Sequence, residues 1–313
     1  MQKALRIGTR DSQLAVWQAS LVQSLLKEAG VISELVYIKS EGDIDTVTPL
    51  YALGVTGVFT KTLDAALLNN RIDIAVHSMK DVPVQLAKGI QQAAVLKRAS
   101  HNDIFVYKEE IDFLNDFNSE ATIATGSVRR IAQWLNRYPN HKIESLRGNV
   151  NTRLRKVEES SWKGAIFAAA GLERIHLRPG KSIDLDWMLP APAQGAIMVV
   201  CREDDDHAFN ACQPFNHEST ALCTKIERDF LSGLLGGCST PISALAEVKD
   251  GEIIFKGNVV SPDGMQKEEI ERSISLSNAA NFGFTVAKEI LLNGGDAIVK
   301  RIRNKGLTAN DEV

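Results

Sequence analysis

The chain has few cysteines and no long apolar run, and each scarcity excludes a class of protein. Its 313 residues include four cysteines, none in the Cys-x-x-Cys spacing of common zinc and redox sites. We therefore expect no metal site, and we expect Cys201, Cys212 and Cys223 to be buried thiols. No segment approaches the ~18 consecutive apolar residues of a membrane-spanning helix, so a membrane location is not expected.

The chain also lacks an excess of charge of either sign. Lys and Arg total 36 and Asp and Glu total 39, which gives a formal net charge of −3. This balance argues against a nucleic acid or an anionic membrane surface as the main partner. Residues 1–7 run into a strand pattern without an apolar signal segment, which predicts a cytoplasmic protein. Any anion-binding role must come from local clusters of cations.

The order of strand-like and helix-like runs predicts the fold class. A chain of 313 residues exceeds what one hydrophobic core usually supports, so two or three domains are expected. Strands and helices alternate in two series, which predicts βαβ units around largely parallel sheets. The first series has strands at 4–8, 33–38 and 72–76 and helices at 12–29 and 61–69. The second has strands at 103–107, 121–124, 142–146 and 165–169 and helices at 127–137 and from 150.

The pattern changes in the last third of the chain. Proline and glycine punctuate 189–195 before an apolar strand at 196–200, as expected of a segment that crosses between domains. A helix at 218–231, hairpin-like strands and a last helix follow; the strands are at 242–248 and 253–260 and the last helix at 278–292. The prediction is two α/β domains and a small α+β C-terminal domain. The expected boundaries are 1–99 with 197–216, then 100–196, then 217–313.

One stretch, Val-His-Ser-Met-Lys-Asp-Val-Pro at 76–83, places Lys80 and Asp81 directly after the apolar run 72–76. A short apolar run that ends in charge and is stopped by proline indicates a buried strand leading into a loop. Loops at strand ends are where open α/β sheets bind ligands. The alternative is a surface ion pair that closes the strand.

Three strand-to-helix turns share a composition, at 9–12, 125–130 and 147–153. Each combines a hydroxyl or amide N-cap, free backbone N–H groups and an arginine at a helix start, which together suit an anion. Because the helix dipole mildly disfavours arginine there, an anionic ligand would explain three occurrences. For each turn alone, a capped helix with a solvated arginine remains the alternative.

Together the turns predict a cleft between two domains that holds a polyanion through guanidinium contacts. Its expected lining is Arg10, Arg129, Arg130, Arg147 and Arg153, with Lys80 and Asp81 on the floor and Arg174 as a further candidate. Asp81 is expected to be a buried carboxylate that stays ionised, because neighbouring cations favour its charged form. It would then suit stabilising a cationic intermediate or moving protons.

Cys238 differs from the other cysteines because two glycines precede it. In Leu-Gly-Gly-Cys-Ser-Thr-Pro at 235–241, the glycines would hold the thiol on an exposed turn and the proline would make the exit rigid. A buried structural cysteine on a glycine turn is the alternative.

Several stretches together resemble the porphobilinogen deaminase family, also called hydroxymethylbilane synthase. They are Arg-Ile-Gly-Thr-Arg-Asp-Ser-Gln-Leu-Ala at 6–15, the stretch 76–83, Ser-Leu-Arg-Gly-Asn at 145–149, Pro-Ala-Gln-Gly-Ala at 192–196 and Gly-Gly-Cys at 236–238. The match runs in order from residue 6 to about 260. The resemblance implies three domains, the first two like periplasmic binding proteins, with the active cleft between them.

The resemblance also implies an activity and a cofactor. It implies a transferase that joins four porphobilinogens head to tail, with release of ammonia, to give hydroxymethylbilane for porphyrin and heme biosynthesis. A dipyrromethane primer would be held by a thioether to Cys238. Asp81, with Lys80, would be catalytic by stabilising positive charge on the pyrrole nitrogens. Relatives are usually monomers, so a monomer is expected.

The implied contacts divide into two sets. The residues expected to hold the cofactor, besides Cys238, are Lys80, Asp81, Ser127, Arg129 and Arg130. The residues expected to hold the substrate are Arg10, Ser12, Phe59, Arg147, Arg153 and Arg174. Each pyrrole carries two carboxylates, so a growing chain is a polyanion, which accounts for the number of arginines.

The chain departs from the family pattern in the segment 53–64, which is a mobile flap over the cleft in relatives. Thr56 stands where the family usually has lysine, and Thr62 stands where it usually has an acid. A serine of the family is also replaced by Gly126. Two other readings stay open: an inactive relative of the enzyme, which rests on Thr56 and Thr62, and a non-catalytic two-lobed module that binds an anion, which the fold alone does not exclude.

Overall fold

The computed structural model of the chain describes residues 4–39, 60–234 and 240–304. The helices are α1 (Gln13–Glu28), α2 (Lys61–Leu68), α3 (Val128–Arg137), α4 (Val150–Glu159), α5 (Ala169–Glu173), α6 (Asp206–Cys212), α7 (Glu218–Gly233), α8 (Phe282–Ile290) and α9 (Asp296–Asn304). The strands are β1 (Leu5–Thr9), β2 (Ser33–Tyr37), β3 (Ile74–Ser78), β4 (Ile90–Val95), β5 (Asp103–Tyr107), β6 (Thr122–Ala124), β7 (Lys142–Glu144), β8 (Gly164–Ala168), β9 (Ser182–Asp184), β10 (Ile197–Arg202), β11 (Ile242–Lys249), β12 (Glu252–Val260) and β13 (Lys267–Ser275). Of these helices, none is long and apolar enough to cross a membrane.

The first lobe is built on a five-stranded sheet in the order β2-β1-β3-β10-β4. The central strands, β3 and β10, are mostly apolar in sequence because helices cover the sheet. On α1, Ala19, Val22 and Leu26 are fully buried at helical spacing and pack in one cluster with Ile7 and Ile74. This packing fixes the ends of β1 and β3 side by side, since those two strands pair in parallel.

The second lobe repeats the architecture with a five-stranded sheet in the order β7-β6-β8-β5-β9. Its core is aromatic: Phe105 and Trp134 are fully buried, and their ring centroids lie 5.3 Å apart. On β8, Gly164 leaves room for this core, because a Cβ there would lie 2.5 Å from Cζ of Phe105. The fold class predicted from the sequence, two α/β domains followed by a small α+β domain, is confirmed.

The expectation of largely parallel sheets is wrong, because half of the strand pairs in each five-stranded sheet are antiparallel. In the first lobe β10 runs antiparallel to β3 and β4, and in the second lobe β5 runs antiparallel to β8 and β9. Both β5 and β10 are strands that the chain enters directly after passing from the other lobe. They are not reached through a helical crossover within their own sheet, so the rule for parallel βαβ units does not govern them.

Two segments, 96–102 and 185–196, cross between the two five-stranded sheets and lie against each other. The amide N–H of Leu96 donates to Ile197 O at 3.0 Å, and that of Ala99 donates to Gly195 O at 3.2 Å. Gly195 has a φ of +86°, and a Cβ there would lie 2.6 Å from Ser100 O. The turn into β10 therefore requires glycine, both for its backbone conformation and for the close approach of the other crossing segment.

The C-terminal domain has a three-stranded antiparallel sheet in the order β11-β12-β13, covered by helices. Its core contains the fully buried rings of Phe230 and Phe255, with centroids 5.1 Å apart. The predicted hairpin is confirmed as β11 and β12. The predicted last helix at 278–292 is wrong in extent, since α8 is followed by a further helix, α9.

A single buried carboxylate on α7 joins the crossing segments to the C-terminal domain. Glu227 is 0% exposed, and its Oε2 lies 2.6 Å from Nη2 of Arg98. The same oxygen accepts the backbone N–H of Ala193 at 2.6 Å, and Oε1 accepts that of Ala246 at 2.7 Å. Glu227 thus holds both crossing segments against β11.

We predict that Glu227→Ala lowers the free energy of unfolding by about 3–5 kcal/mol, because it leaves Arg98 and two amide groups buried without their acceptor. Urea unfolding of the variant and of the wild type measures this difference. Glu218→Ala, an exposed position in the first turn of α7, serves as the control and should cost less than about 1 kcal/mol. Equal effects at the two positions would contradict the role given to Glu227.

Candidate active site

The Lys80–Asp81 pair lies where the sequence predicts it, at the end of β3. The chain leaves β3 at Ser78 and makes one 3-10 turn, Met79–Asp81. Met79 is 1% exposed and anchors this turn in the core, whereas Asp81 is exposed. The expectation of a buried Asp81 is therefore wrong, because the turn places Met79 inward and leaves the neighbouring carboxylate in solvent.

Lys80 connects the first lobe to the second through a glutamine of the crossing segment. Its Nζ donates to Oε1 of Gln194 at 3.2 Å, and Nε2 of Gln194 donates to Oδ1 of Asp103 at 3.0 Å. Gln194 is 1% exposed, so its amide is fully committed to these neighbours and to His101 O. Burial lowers the pKa of Lys80 to about 8, against the opposing effect of the Asp81 charge.

Asp103, at the start of β5, is the buried counter-charge of two arginines of α3. Its carboxylate is 0% exposed and lies 2.6 Å from Nη2 of Arg129 and 2.7 Å from Nη2 of Arg130. Burial alone would raise the pKa of Asp103, but the charges of Arg129 and Arg130 outweigh it and hold that pKa below its usual range. The two guanidinium groups also donate to Leu189 O and Ile166 O.

This pairing reduces what Arg129 and Arg130 can offer a ligand. Two cations and one anion leave one net positive charge, and the arginines are only 4% and 6% exposed. One donor stands out: Nε of Arg129 is buried without a hydrogen-bond partner in the part of the chain that the structure describes. The assignment of both arginines to cofactor binding stays a prediction.

Two further arginines, Arg147 and Arg153, lie on either side of the start of α4, as the sequence predicts. Asn149 caps this helix by accepting the N–H of Thr152 at 2.9 Å, and Gly148 O accepts Nε of Arg153 at 2.7 Å. Burial lowers the pKa of Arg153 to about 10, with Arg130 and Arg147 lowering it and Asp81 raising it.

The charged groups that shift the pKa of Arg153 show which of the predicted site residues lie near one another. Asp81 belongs to the first lobe, whereas Arg130, Arg147 and Arg153 belong to the second. The charges of Arg130 and Asp81 also shift the pKa of Lys80, the first lowering it and the second raising it. The fold therefore brings one exposed carboxylate and several cations from both lobes within electrostatic range of one another, as the cleft hypothesis requires.

Arg10 and Ser12 follow β1 and lie next to the end of β3. Burial and, to a smaller extent, the charge of Arg10 lower the pKa of His77 to about 4, so this imidazole is neutral at pH 7. Ser12 occupies the N-cap position of α1 but its side chain makes no capping hydrogen bond. Ser127 occupies the same position on α3, also without a side-chain cap bond. Neither hydroxyl therefore caps its helix as the sequence predicts.

Arg174 lies at the crossing segment rather than with Asp81. Its Nη2 donates to Gly195 O at 2.6 Å, and its guanidinium carbon lies 5.8 Å from the ring centroid of Trp17. Burial lowers the pKa of Arg174 to about 10, with Glu173 opposing. Its assignment to substrate binding stays a prediction.

Three residues singled out from the sequence, Phe59, Thr56 and Cys238, lie outside the described residues. Thr62, the other departure from the family pattern, is the second residue of α2. Its Oγ1 is buried and, among the described residues, has no hydrogen-bond partner. An acid at this position would have to find a partner for its charge in the same surroundings.

The remaining cysteines are buried, as predicted. Burial raises the pKa of Cys201 and Cys223 to about 11 and that of Cys212 to about 12, so these thiols are poor nucleophiles. Across residues 4–39, 60–234 and 240–304, no three His, Cys, Asp or Glu side chains group closely enough to hold a metal ion.

Sequence reasoning missed Asp103 and Gln194, the two residues that connect the cations. Asp103 had a signal, since an acid opens the otherwise apolar strand 103–107, and strands buried on both faces rarely begin with a charge that lacks a partner. Gln194 lies inside the quoted motif at 192–196 but has no local feature that indicates a bridge to Lys80.

The structure is thus that of a protein with two α/β lobes that bring several cations within electrostatic range of one carboxylate. Residues 5–210 match the family described as porphobilinogen deaminase, dipyromethane cofactor binding domain, and residues 221–292 match porphobilinogen deaminase, C-terminal domain. These matches cover most of the chain, so it belongs to the porphobilinogen deaminase family, whose members are transferases of tetrapyrrole synthesis. The resemblance predicted from the motifs is confirmed.

The chain is also similar to solved two-lobed binding proteins. It is 16% identical to an ancestral cationic amino acid solute binding protein, with a TM-score of 0.44 over 68% of this chain and 87% of that one. It is 16% identical to a nutrient binding protein from Burkholderia cenocepacia bound to methionine, with a TM-score of 0.42 over 68% and 91%. The periplasmic VFT2 domain of BvgS from Bordetella pertussis is 14% identical, with a TM-score of 0.41 over 66% and 84%.

We predict that Asp103→Asn lowers the free energy of unfolding at pH 7 by about 3–5 kcal/mol, since two buried arginines lose their counter-charge. The pKa of Asp103 is lower in the folded than in the unfolded chain, where it is about 3.9. The stabilisation is therefore fully present above about pH 4 and declines as the pH falls from there. Urea unfolding at pH 7 and pH 3 should show the wild-type advantage shrinking by about 1 kcal/mol.

The control is Asp186→Asn, an exposed carboxylate in the same lobe, which should change the free energy of unfolding by less than about 0.5 kcal/mol. An Asp103→Asn variant as stable as this control at pH 7 would show that Arg129 and Arg130 need no counter-charge.

Proposed function

We propose that the protein joins four porphobilinogen molecules head to tail to give hydroxymethylbilane, working as a cytoplasmic monomer. In each condensation the aminomethyl C–N bond of one porphobilinogen breaks and ammonia leaves, and a C–C bond forms to the α-carbon of the next pyrrole, which loses its proton. Water then releases the linear tetrapyrrole by adding its hydroxyl to the terminal methylene carbon. The observation that carries this proposal is the convergence of Asp81 with Lys80, Arg130, Arg147 and Arg153 across the two lobes.

The cations of the second lobe suit the acetate and propionate arms of the substrate. Guanidinium groups bind carboxylates with two parallel hydrogen bonds, which fixes orientation as well as charge. Arg147 and Arg153 stand beside the capped start of α4, where backbone N–H groups add to the positive field. We assign to them, with Arg10 and Ser12 of the first lobe, the binding of substrate carboxylates. Phe59 and Arg174 complete the proposed substrate contacts.

The residues present also fit a dipyrromethane cofactor, which brings four carboxylate arms of its own. The buried Nε of Arg129 has no partner within the described residues, and the hydroxyl of Ser127 is not used to cap its helix. We propose that these groups, with Arg130 and Lys80, hold the cofactor while Cys238 tethers it by a thioether. When bound, the cofactor supplies the pyrrole carbon to which the first substrate is joined.

Asp81 is assigned the stabilisation of positive charge on the substrate pyrrole as ammonia leaves. Its carboxylate is exposed at the end of the 3-10 turn, so a pyrrole N–H can reach it. Lys80, with a pKa of about 8, is mostly protonated at pH 7 and adds a cation for the carboxylate arms. A pre-oriented negative charge beside a developing cation stabilises it without further reorganisation.

We predict a covalent pyrrole adduct on the purified protein. The intact mass should exceed the sequence mass by one dipyrromethane, and acidic Ehrlich reagent should give colour. Cys238→Ser is the matched control, since it removes the thiol with little change of size, and it should show neither signal. Active protein with an unmodified Cys238 would contradict the tether, and an unmodified, inactive protein that still binds the substrate would favour the binding module or the inactive relative.

We predict that Asp81→Ala leaves the fold intact and lowers kcat by at least about 10²-fold, the usual loss when one electrostatic stabiliser is removed. Steady-state kinetics with porphobilinogen and a thermal melt test both parts. Asp204→Ala, an exposed carboxylate of the first lobe, is the control and should keep the wild-type rate. A near-normal kcat for Asp81→Ala would remove the basis of the proposed mechanism.

A further inference from the structure

The C-terminal domain reaches into the turn that carries Lys80 and Asp81 through one arginine of α7. Arg228 is 8% exposed, and its guanidinium donates to four backbone carbonyl oxygens of the first lobe. The Nη1 atom lies 2.9 Å from Val82 O and 3.4 Å from Met79 O. The Nη2 atom lies 2.5 Å from Pro83 O and 3.0 Å from Val84 O.

These four carbonyls enclose the turn on both sides of Asp81. The turn begins at Met79, whose N–H donates to Ala196 O at 3.0 Å and whose carbonyl accepts the N–H of Val82 at 3.2 Å. Arg228 contacts the same Met79 carbonyl and the segment that follows Asp81. A planar group with five N–H donors can satisfy several carbonyls in a fixed geometry, which an ammonium group cannot do.

The carboxylate of Asp81 itself has little to orient it. Within residues 4–39, 60–234 and 240–304, no hydrogen bond or ion pair joins this carboxylate to another side chain. Its position therefore depends on the backbone of the turn. Among the described residues, that backbone is held by the packing of Met79, by the contact with Ala196 and by the four hydrogen bonds from Arg228 of the C-terminal domain.

We propose that Arg228 is a positioning residue that sets the place of the Asp81 carboxylate by holding the carbonyls of residues 79–84. This inference rests on the proposed function, in which Asp81 stabilises charge on the substrate. It also gives α7 a double role, because the neighbouring Glu227 holds the crossing segments from the same helix. In the sequence, α7 ends at Gly233, five residues before Cys238, so one helix links the segment bearing the acid to the segment bearing the thiol.

A purely structural role for Arg228 is the competing explanation, and Arg202 provides the matched control. Arg202 is also a largely buried arginine that donates to backbone carbonyls of the first lobe, at 3.0 Å from Leu67 O and 2.7 Å from Ile72 O. Its other partners are Asp73 and Asp205, away from the candidate site. Loss of Arg202 should therefore affect stability without moving Asp81.

The experiment compares Arg228→Gln and Arg228→Lys with Arg202→Gln and Arg202→Lys, each as the protein carrying its covalent primer, verified by intact mass. Steady-state kinetics are measured below the melting temperature of each variant. Arg228→Gln should lower kcat by about 10–100-fold, as displacement of a reacting group by about 1 Å does. The KM should stay within about twofold, because the arginines that bind substrate are unchanged, and Arg228→Lys should recover part of the lost kcat. Both Arg202 variants should keep the wild-type kcat.

The outcomes separate the two proposals. A wild-type protein without turnover would overturn the proposed function and this inference with it. An active wild type, together with Arg228 variants that lose no more kcat than the Arg202 variants, would overturn the positioning role alone. If Arg228→Gln does not fold, Arg228→Lys decides: a reduced kcat at unchanged KM supports the role, and a wild-type kcat contradicts it.

Discussion

The contact between Asp103 and two arginines of α3 determines how much positive charge the second lobe presents. Two guanidinium groups that are 4% and 6% exposed could not be buried without a counter-charge, because desolvation costs several kcal/mol per ion. With Asp103 between Arg129 and Arg130, that cost is offset and the start of α3 keeps one net positive charge. The count of arginines in the sequence therefore overstates the field that a ligand meets.

The same carboxylate is connected to the first lobe by hydrogen bonds, so the candidate site includes residues of both lobes. Gln194 links Asp103 to Lys80, and its backbone belongs to the segment that crosses between the sheets. Charged side chains also hold the backbone around it: Glu227 accepts the N–H of Ala193, Arg98 donates to Gln194 O, and Arg174 donates to Gly195 O. Three consecutive residues are thus fixed by three different elements. The position of Gln194, and with it the contact to Lys80, therefore depends on all three.

The sequence predicts local elements well and the partners of its charged residues poorly. The helix at 127–137 is observed as Val128–Arg137, because its apolar residues recur at helical spacing and Ser127 precedes them. Strand β13 was missed, because charged residues on an edge strand hide the alternation that would reveal it. Asp103 lies 26 residues from Arg129, and no local pattern connects them. The exposure of Asp81 depends on which way a three-residue turn faces, and that is decided by the packing of Met79.

The contrast between a solvated acid and partly buried cations has a consequence for binding. Arg130 and Arg153 are already oriented by protein acceptors, Ile166 O and Gly148 O, so a carboxylate that reaches them need not order flexible side chains. Asp81 is in water, and its field is weak until a ligand displaces that water. In the mechanism that we propose, a ligand between the lobes lowers the local dielectric constant, which strengthens the attraction between Asp81 and a cationic pyrrole as the charge develops. Under that proposal, an acid in solvent and cations held by the protein favour binding of the anionic arms first and stabilisation of the cation afterwards.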